Sequence, residues 1–251
     1  MGIDIFLHSI RLVTRHFGEA LRISGVLYLA AFLVSWFLQL TTTGAEREPL
    51  TILVAIVTVL VLALGWMWVA VAWHRFILLQ EGANGFIPKF LGDRLLAYLG
   101  NSFLLFIVMF LAAMVVGLAM VLVTLAAGAA PALAIALMGL IVFVMLILNY
   151  RLALVLPAAA IGKQLRLGEA WGATKNATGA IVVLALVSTI SSLVLDLPLF
   201  LLLGMDLVSV IVRGLWQLAT GWIKLMVGVS ILTTLYGHFI EGRPVSDDAI
   251  S

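Results

Sequence analysis

Cysteine is absent from this chain, which excludes disulfide bonds, thiolate metal sites and thiol-based catalysis. Charge is scarce as well. Asp, Glu, Lys and Arg make up 10% of the 251 residues, whereas about a quarter is usual in a soluble domain. Hydrophobic residues make up 64%, and the mean hydropathy is +1.24. Because so few charged residues cannot cover a water-soluble surface, the composition predicts a protein that is embedded in a lipid bilayer.

Motifs of catalysis and of metal binding are also missing. The sequence has no Gly-rich phosphate loop, no Gly-x-Ser-x-Gly elbow and no His-Glu-x-x-His pair. The four histidines are scattered along the sequence, outside the predicted membrane interior: His8, His16, His74 and His238. We therefore expect no catalytic residue, no metal site, no cofactor and no enzymatic activity.

Long apolar runs dominate what is present. About 20 mainly apolar residues are needed to cross roughly 30 Å of hydrocarbon, and the sequence predicts six such spans: 23–40, 51–73, 102–125, 132–150, 180–197 and 216–239. Lipid cannot pair with an open strand, and the alternation of a membrane barrel is absent, so the spans are predicted to be helices. The expected fold is all-α, a single membrane bundle of residues 1–251.

The basic residues are distributed unevenly between the segments that connect these spans. Eleven of the 14 Lys and Arg residues fall in the N-terminal segment, the second and fourth connections and the C-terminal tail. Arg47 and Arg213 fall on the other side, and Lys224 lies inside a span. Since cytoplasmic loops carry the excess of basic residues, both termini are predicted to be cytoplasmic. Anionic lipid headgroups are the expected partner of these charges, and nucleic acid is not.

Short Gly-acid triplets precede the first, third and fifth spans: Phe17-Gly18-Glu19, Leu91-Gly92-Asp93 and Leu167-Gly168-Glu169. Their spacing of about 75 residues indicates a three-fold repeat of one amphipathic in-plane helix plus one transmembrane hairpin. The units would be about 1–80, 81–162 and 163–251. Arginines near the cytoplasmic surface are expected to contact lipid headgroups: Arg11, Arg15, Arg22, Arg75, Arg94 and Arg151.

The last span carries a polar stripe at helical spacing: Asp206, Ser209, Arg213, Gln217, Thr220 and Lys224. A second set lies on one face of the fifth span: Ser188, Ser192 and Asp196. An ionisable residue inside a span is a functional candidate by default. Two interpretations remain open. In the first, Lys224 has a structural role, either as the ion-pair partner of Asp196 or as an anchor that extends to the outer headgroups. In the second, the stripe lines a polar cavity or translocation path.

The stretch YRLALVLPAAA at 150–160, followed by LGEAW at 167–171, resembles bacterial six-helix membrane proteins that are similar to the membrane domain of glycerophosphoryl diester phosphodiesterases. The resemblance covers nearly the whole chain and implies a six-helix module in the bacterial inner membrane. It does not imply phosphodiesterase activity, because that activity belongs to a soluble domain that this sequence lacks.

Two functions are compatible with these patterns. The first is a non-enzymatic inner-membrane protein that scaffolds, regulates or assembles other membrane components, with lipids and other membrane proteins as partners. The second is a small-solute transporter or permease subunit whose polar path follows the last helix to Lys224. A cavity that connects Lys224 with the cytoplasmic side would favour the second.

Overall fold

A computed structural model describes residues 1–42, 49–82, 85–126, 131–201, 204 and 206–245. Within these residues the regular structure is entirely helical, which confirms the all-α prediction. The α-helices are α1 (Gly2–Arg15), α2 (Phe17–Thr42), α3 (Pro49–Leu79), α4 (Gly92–Ala126), α5 (Pro131–Leu152), α6 (Val155–Ile161), α7 (Leu167–Thr174), α8 (Thr178–Leu201) and α9 (Leu207–Phe239).

Six of these helices are long and apolar enough to cross a membrane, namely α2, α3, α4, α5, α8 and α9. The chain is therefore a multi-pass membrane protein, as the hydropathy predicts. Each helix is longer than its predicted span because the apolar run marks only the part that lipid must solvate. The 35 residues of α4 extend about 52 Å at 1.5 Å per residue, which exceeds the hydrocarbon thickness of roughly 30 Å.

The three Gly-acid triplets mark helix starts. Glu19, Asp93 and Glu169 lie in the first turns of α2, α4 and α7, where a carboxylate interacts favourably with the helix dipole. A separate short helix precedes the hairpin in the first and third units, as α1 and α7. The prediction of a separate in-plane helix in the second unit is wrong, because residues 85–91 form no helix before α4 begins at Gly92.

One end of the bundle, which we call the basic end, contains α1, α6, α7 and the segment 240–245. It also holds most of the core, including the fully buried Trp73, Leu154 and Tyr236. Away from this end the long helices expose apolar side chains, for example Val59 at 64% and Val115 at 71%. Surfaces of this kind are stable in hydrocarbon, so the basic end joins the helices while lipid solvates much of their remaining length.

Helix α9 is the central element of the bundle. Its hydrogen bonds reach three other helices: Trp73 Nε1 to Ser230 Oγ (2.9 Å), Ser9 Oγ to Thr234 Oγ1 (3.1 Å) and Tyr28 Oη to the Leu218 carbonyl (3.1 Å). Polar groups inside a bilayer must be satisfied within the protein. These bonds therefore fix the positions of α3, α1 and α2 around α9.

Helix α1 packs against α8 and α9 rather than only lying on a membrane surface. Ile5, His8, Ser9 and Leu12 are buried. Other apolar side chains of the helix, such as Leu7, are exposed. The helix thus has two apolar sides, one for the protein and one that is available to lipid.

Candidate functional site

A large cleft lies between α1, α5, α8 and α9, with a volume of about 1060 Å³. Its walls are almost entirely apolar and include Phe6 and Phe17 at the start of the chain, Leu146 of α5, and Val227 and Ile231 of α9. Phe17 also packs edge-to-face on Trp222 at a ring distance of 5.6 Å, which ties the entry of α2 to the cleft wall. The cleft therefore extends from α1 at the basic end towards the middle of α9.

Lys224 lies at the far end of this cleft, where it forms an ion pair with Asp196. The distance between Lys224 Nζ and Asp196 Oδ1 is 2.5 Å, and the two side chains are 30% and 35% exposed. The hairpin of α8 and α9 brings them together, with Asp196 in the C-terminal part of α8 and Lys224 near the middle of α9. Of the structural roles expected for Lys224, the structure contains the ion pair with Asp196. Each charge is compensated by the other, so this end of the cleft is close to neutral.

Serines of α8 supply other polar atoms of the cleft. Ser188 and Ser192 both line it, and Ser188 Oγ accepts a hydrogen bond of 2.9 Å from the hydroxyl of Tyr150. Because this hydroxyl pair is mutually satisfied, it crosslinks α5 and α8 without adding charge. The fifth-span residues that the sequence singled out therefore do lie at one site.

The polar stripe of α9 lies mostly outside this cleft. Among its six residues, Lys224 is the one that the described lining of the cleft includes. Arg213 donates to the Gly204 carbonyl (3.1 Å), and the buried Thr220 donates to the Trp216 carbonyl (2.8 Å). Gln217 is half-buried outside the cleft. The cleft therefore does not follow the stripe, and a polar path along α9 stays a prediction.

The first residues of the stripe begin the helix. Asp206 is the N-cap of α9 and accepts hydrogen bonds from the hydroxyl of Ser209 (2.6 Å) and from its backbone N–H (3.1 Å). The Ser209 hydroxyl bond, together with the N–H bond, holds the pKa of Asp206 below its ordinary value. This carboxylate satisfies an otherwise unpaired N–H of the first turn.

Two of the arginines that were expected to contact lipid are engaged inside the protein. Arg151 is only 6% exposed, donates to the Thr178 hydroxyl and lies 4.6 Å above the ring of Trp171. Arg75 pairs with Glu81 at 2.7 Å and also donates to the Ala160 carbonyl (2.9 Å). Both guanidinium groups join helices at the basic end, and their contact with lipid headgroups stays a prediction.

The other four arginines are more accessible. Arg15 and Arg22 are exposed, and Arg22 pairs with Glu19 at 2.8 Å. Arg11 is half-buried, and Arg94 pairs with Asp93 at 3.1 Å. For this group, contact with lipid headgroups stays a prediction.

The sequence did not reveal that α1 forms a wall of the cleft. The available signal was Gly2, since a Cβ there would overlap the Ala180 carbonyl oxygen and lie 2.9 Å from the Leu184 nitrogen. Only glycine lets the start of α1 approach the backbone of α8 so closely. Ser9, within an otherwise apolar stretch, was a second signal, because it bonds to Thr234.

Metal binding finds no support in the described part of the chain, where no three His, Cys, Asp or Glu residues are grouped around a common point. Comparisons with protein-family models, with curated proteins and with solved structures found no match. The resemblance to the phosphodiesterase membrane domains therefore stays a prediction, and function has to be argued from the geometry of the cleft.

Proposed function

We propose that this protein is a non-enzymatic membrane module that holds a lipid in the cleft between α1, α5, α8 and α9, and that presents this loaded surface to other membrane components. In this proposal it resides in the bacterial inner membrane with its basic end and both termini in the cytoplasm, as the charge bias favours. The observation that carries the proposal is the apolar cleft of about 1060 Å³.

The rim of the cleft supports a lipid as its occupant. Val142, Ile190, Leu193 and Val194 all line the cleft and are also exposed on the surface of the bundle. The cleft wall is thus continuous with the surface that hydrocarbon covers. An apolar groove that opens into hydrocarbon is filled by acyl chains, and its volume lies at the upper end of the roughly 300–1,000 Å³ typical of small-molecule sites.

Charge favours one orientation of such a lipid. The Lys224–Asp196 pair leaves no net charge at the inner end of the cleft, so that end suits a neutral chain terminus. The α1 wall of the cleft includes Thr14, which is followed in sequence by the exposed Arg15. An anionic headgroup is attracted to cations at this surface. The expected arrangement has the headgroup at α1 and the tail directed towards Lys224.

Transport of a polar solute is the weaker proposal. A polar solute in the cleft would lose its hydration against apolar walls, at a cost of several kcal/mol for each unpaired group. The polar partners that the described lining offers it are the ammonium of Lys224 and a small set of hydroxyls. These belong to Thr14, Tyr150, Ser188, Thr189, Ser191 and Ser192. A scaffold that binds lipid needs none of these groups to be free.

Filling the cleft tests the proposal. Gly228 lines the cleft, and a Cβ there would meet no atom within 4 Å, so Gly228→Trp can place an indole in the cavity. Gly117 of α4 is equally open but lies outside the cleft, which makes Gly117→Trp the matched control. We expect native mass spectrometry after mild detergent extraction to show phospholipid on the wild type and on Gly117→Trp, and several-fold less on Gly228→Trp. Equal lipid retention by the two variants would refute a lipid site in this cleft.

A further inference from the structure

All four histidines of the chain converge at the basic end, although their positions span residues 8 to 238. His8, His16 and His238 line a second, smaller cavity of about 210 Å³. His74 lies just behind it, with Nδ1 2.8 Å from the hydroxyl of Thr233, which is itself part of the lining. This cavity is on the opposite face of α1 from the lipid cleft.

The C-terminal segment completes the cavity with a guanidinium group. Arg243 lines it and donates from Nη2 to the Leu78 carbonyl at 3.0 Å, while its own carbonyl oxygen is 3.0 Å from His238 Nδ1. Gly237 makes room for this segment, since a Cβ there would lie 3.3 Å from Cδ of Arg243. The segment is therefore packed on α9 and holds Arg243 in place.

The nearest carboxylate is already compensated. Glu241 is 2.9 Å from Lys163 Nζ and 2.7 Å from Arg243 Nη2, so one anion is shared between two cations. Hydrogen bonding to Glu241 also raises the pKa of Lys163, which keeps that ammonium charged. Of these three described groups, two are cations and one is an anion, so together they carry a surplus of one positive charge.

The lining combines three imidazoles and one guanidinium with the amide of Gln80 and the hydroxyls of Thr233 and Thr234, and the described lining includes no carboxylate. Imidazolium, guanidinium, amide and hydroxyl groups all donate hydrogen bonds to an oxyanion. About 210 Å³ is small for an organic ligand but sufficient for a tetrahedral anion. We propose that this cavity binds a phosphate group, carried either by a lipid headgroup or by a soluble phosphorylated compound.

The test measures binding to the purified full-length chain in neutral detergent, with two probes that separate the sources. Inorganic phosphate at constant ionic strength represents the soluble source, and phosphatidic acid in mixed micelles, compared with phosphatidylcholine, represents the headgroup. Arg243→Gln removes the guanidinium group of the cavity, and His16→Gln replaces one of its imidazoles with a neutral amide. Lys175→Gln removes an exposed charge of the basic end that lines neither this cavity nor the lipid cleft, and is the matched control.

We expect wild type to bind at least one of the probes, and each cavity variant to bind it roughly tenfold or more weakly, because a neutral amide takes the place of a guanidinium or an imidazole. Lys175→Gln should bind like wild type. Binding of inorganic phosphate alone would assign a soluble ligand, and binding of phosphatidic acid alone would assign a headgroup. Binding of neither probe, or equal weakening in Lys175→Gln, would overturn the proposal. If Arg243→Gln loosens the tail, His16→Gln decides, since it lies at the junction of α1 and α2.

Discussion

Replacing Asp196 with leucine is expected to destabilise the folded protein by about 2–4 kcal/mol, because Lys224 then keeps its charge in an apolar environment without a partner. The 2.5 Å pair is the contact that compensates this ammonium, and the surrounding cleft wall is apolar. The change would be measured as the shift of a reversible denaturant titration in detergent micelles.

The control is the double variant Asp196→Leu with Lys224→Met, which removes both charges together. It should recover most of the lost stability, since buried pairs are often replaced by apolar residues at little cost. The wild-type pair then contributes more to the position of α9 relative to α8 than to net stability. Wild-type stability of the single Asp196→Leu variant would contradict the pairing, because it would mean that Lys224 is solvated elsewhere.

Replacing Gly2 with leucine is expected to detach α1 from α8. A Cβ at Gly2 would overlap the Ala180 carbonyl oxygen and would lie 2.9 Å from the Leu184 nitrogen, and neither backbone atom can move without distorting α8. The start of α1 has to lift away, which exposes Ile5 and Phe6. At about 1.5–3 kcal/mol for a large side chain that moves into water, release of Ile5 accounts for a loss of that size, whereas Phe6 lines the lipid cleft and adds little.

Hydrogen exchange of the α1 amides measures this effect directly, and Gly18→Leu is its matched control. A Cβ at Gly18 meets no atom within 4 Å, so leucine is tolerated there and also improves the helix propensity. We expect fast exchange along α1 in Gly2→Leu and wild-type protection in Gly18→Leu. Equal protection in the two variants would show that the close approach at Gly2 does not determine how α1 docks.

The six spans could be predicted from sequence because lipid imposes a simple length and polarity requirement on each. The Lys224–Asp196 pair could be anticipated for a related reason. A short connection makes α8 and α9 antiparallel neighbours, and an intramembrane charge then needs an opposite charge at the same depth.

The rest of the stripe could not be predicted, because helical spacing shows which residues share a side but not what each bonds to. Thr220 turns back to the carbonyl of Trp216, and Asp206 caps its own helix. Arg151 shows the same ambiguity. A Tyr-Arg pair at a span end is typical of interfacial anchoring, yet the same cation stacks on Trp171 inside the fold.

The histidine cavity could not be predicted, because residues that are far apart in sequence leave no local pattern when they meet in the fold. His8 and His238 line one cavity although they lie near opposite ends of the sequence, and no spacing rule connects them. The amphipathic pattern of α1 was equally incomplete, because an apolar arc reads the same whether it covers lipid or another helix. Only the structure shows that Ile5 and Leu12 are buried in the protein while Leu7 is exposed.

The absence of native cysteine makes one measurement decisive for the proposed orientation of the bundle. Lys175→Cys places a single exposed thiol at the basic end, and Leu207→Cys places one at the first residue of α9, at the other end. With a membrane-impermeant maleimide on intact cells, we expect labelling of Leu207→Cys, and labelling of Lys175→Cys only after the membrane is opened. Labelling of Lys175→Cys in sealed cells would contradict the cytoplasmic placement of the basic end.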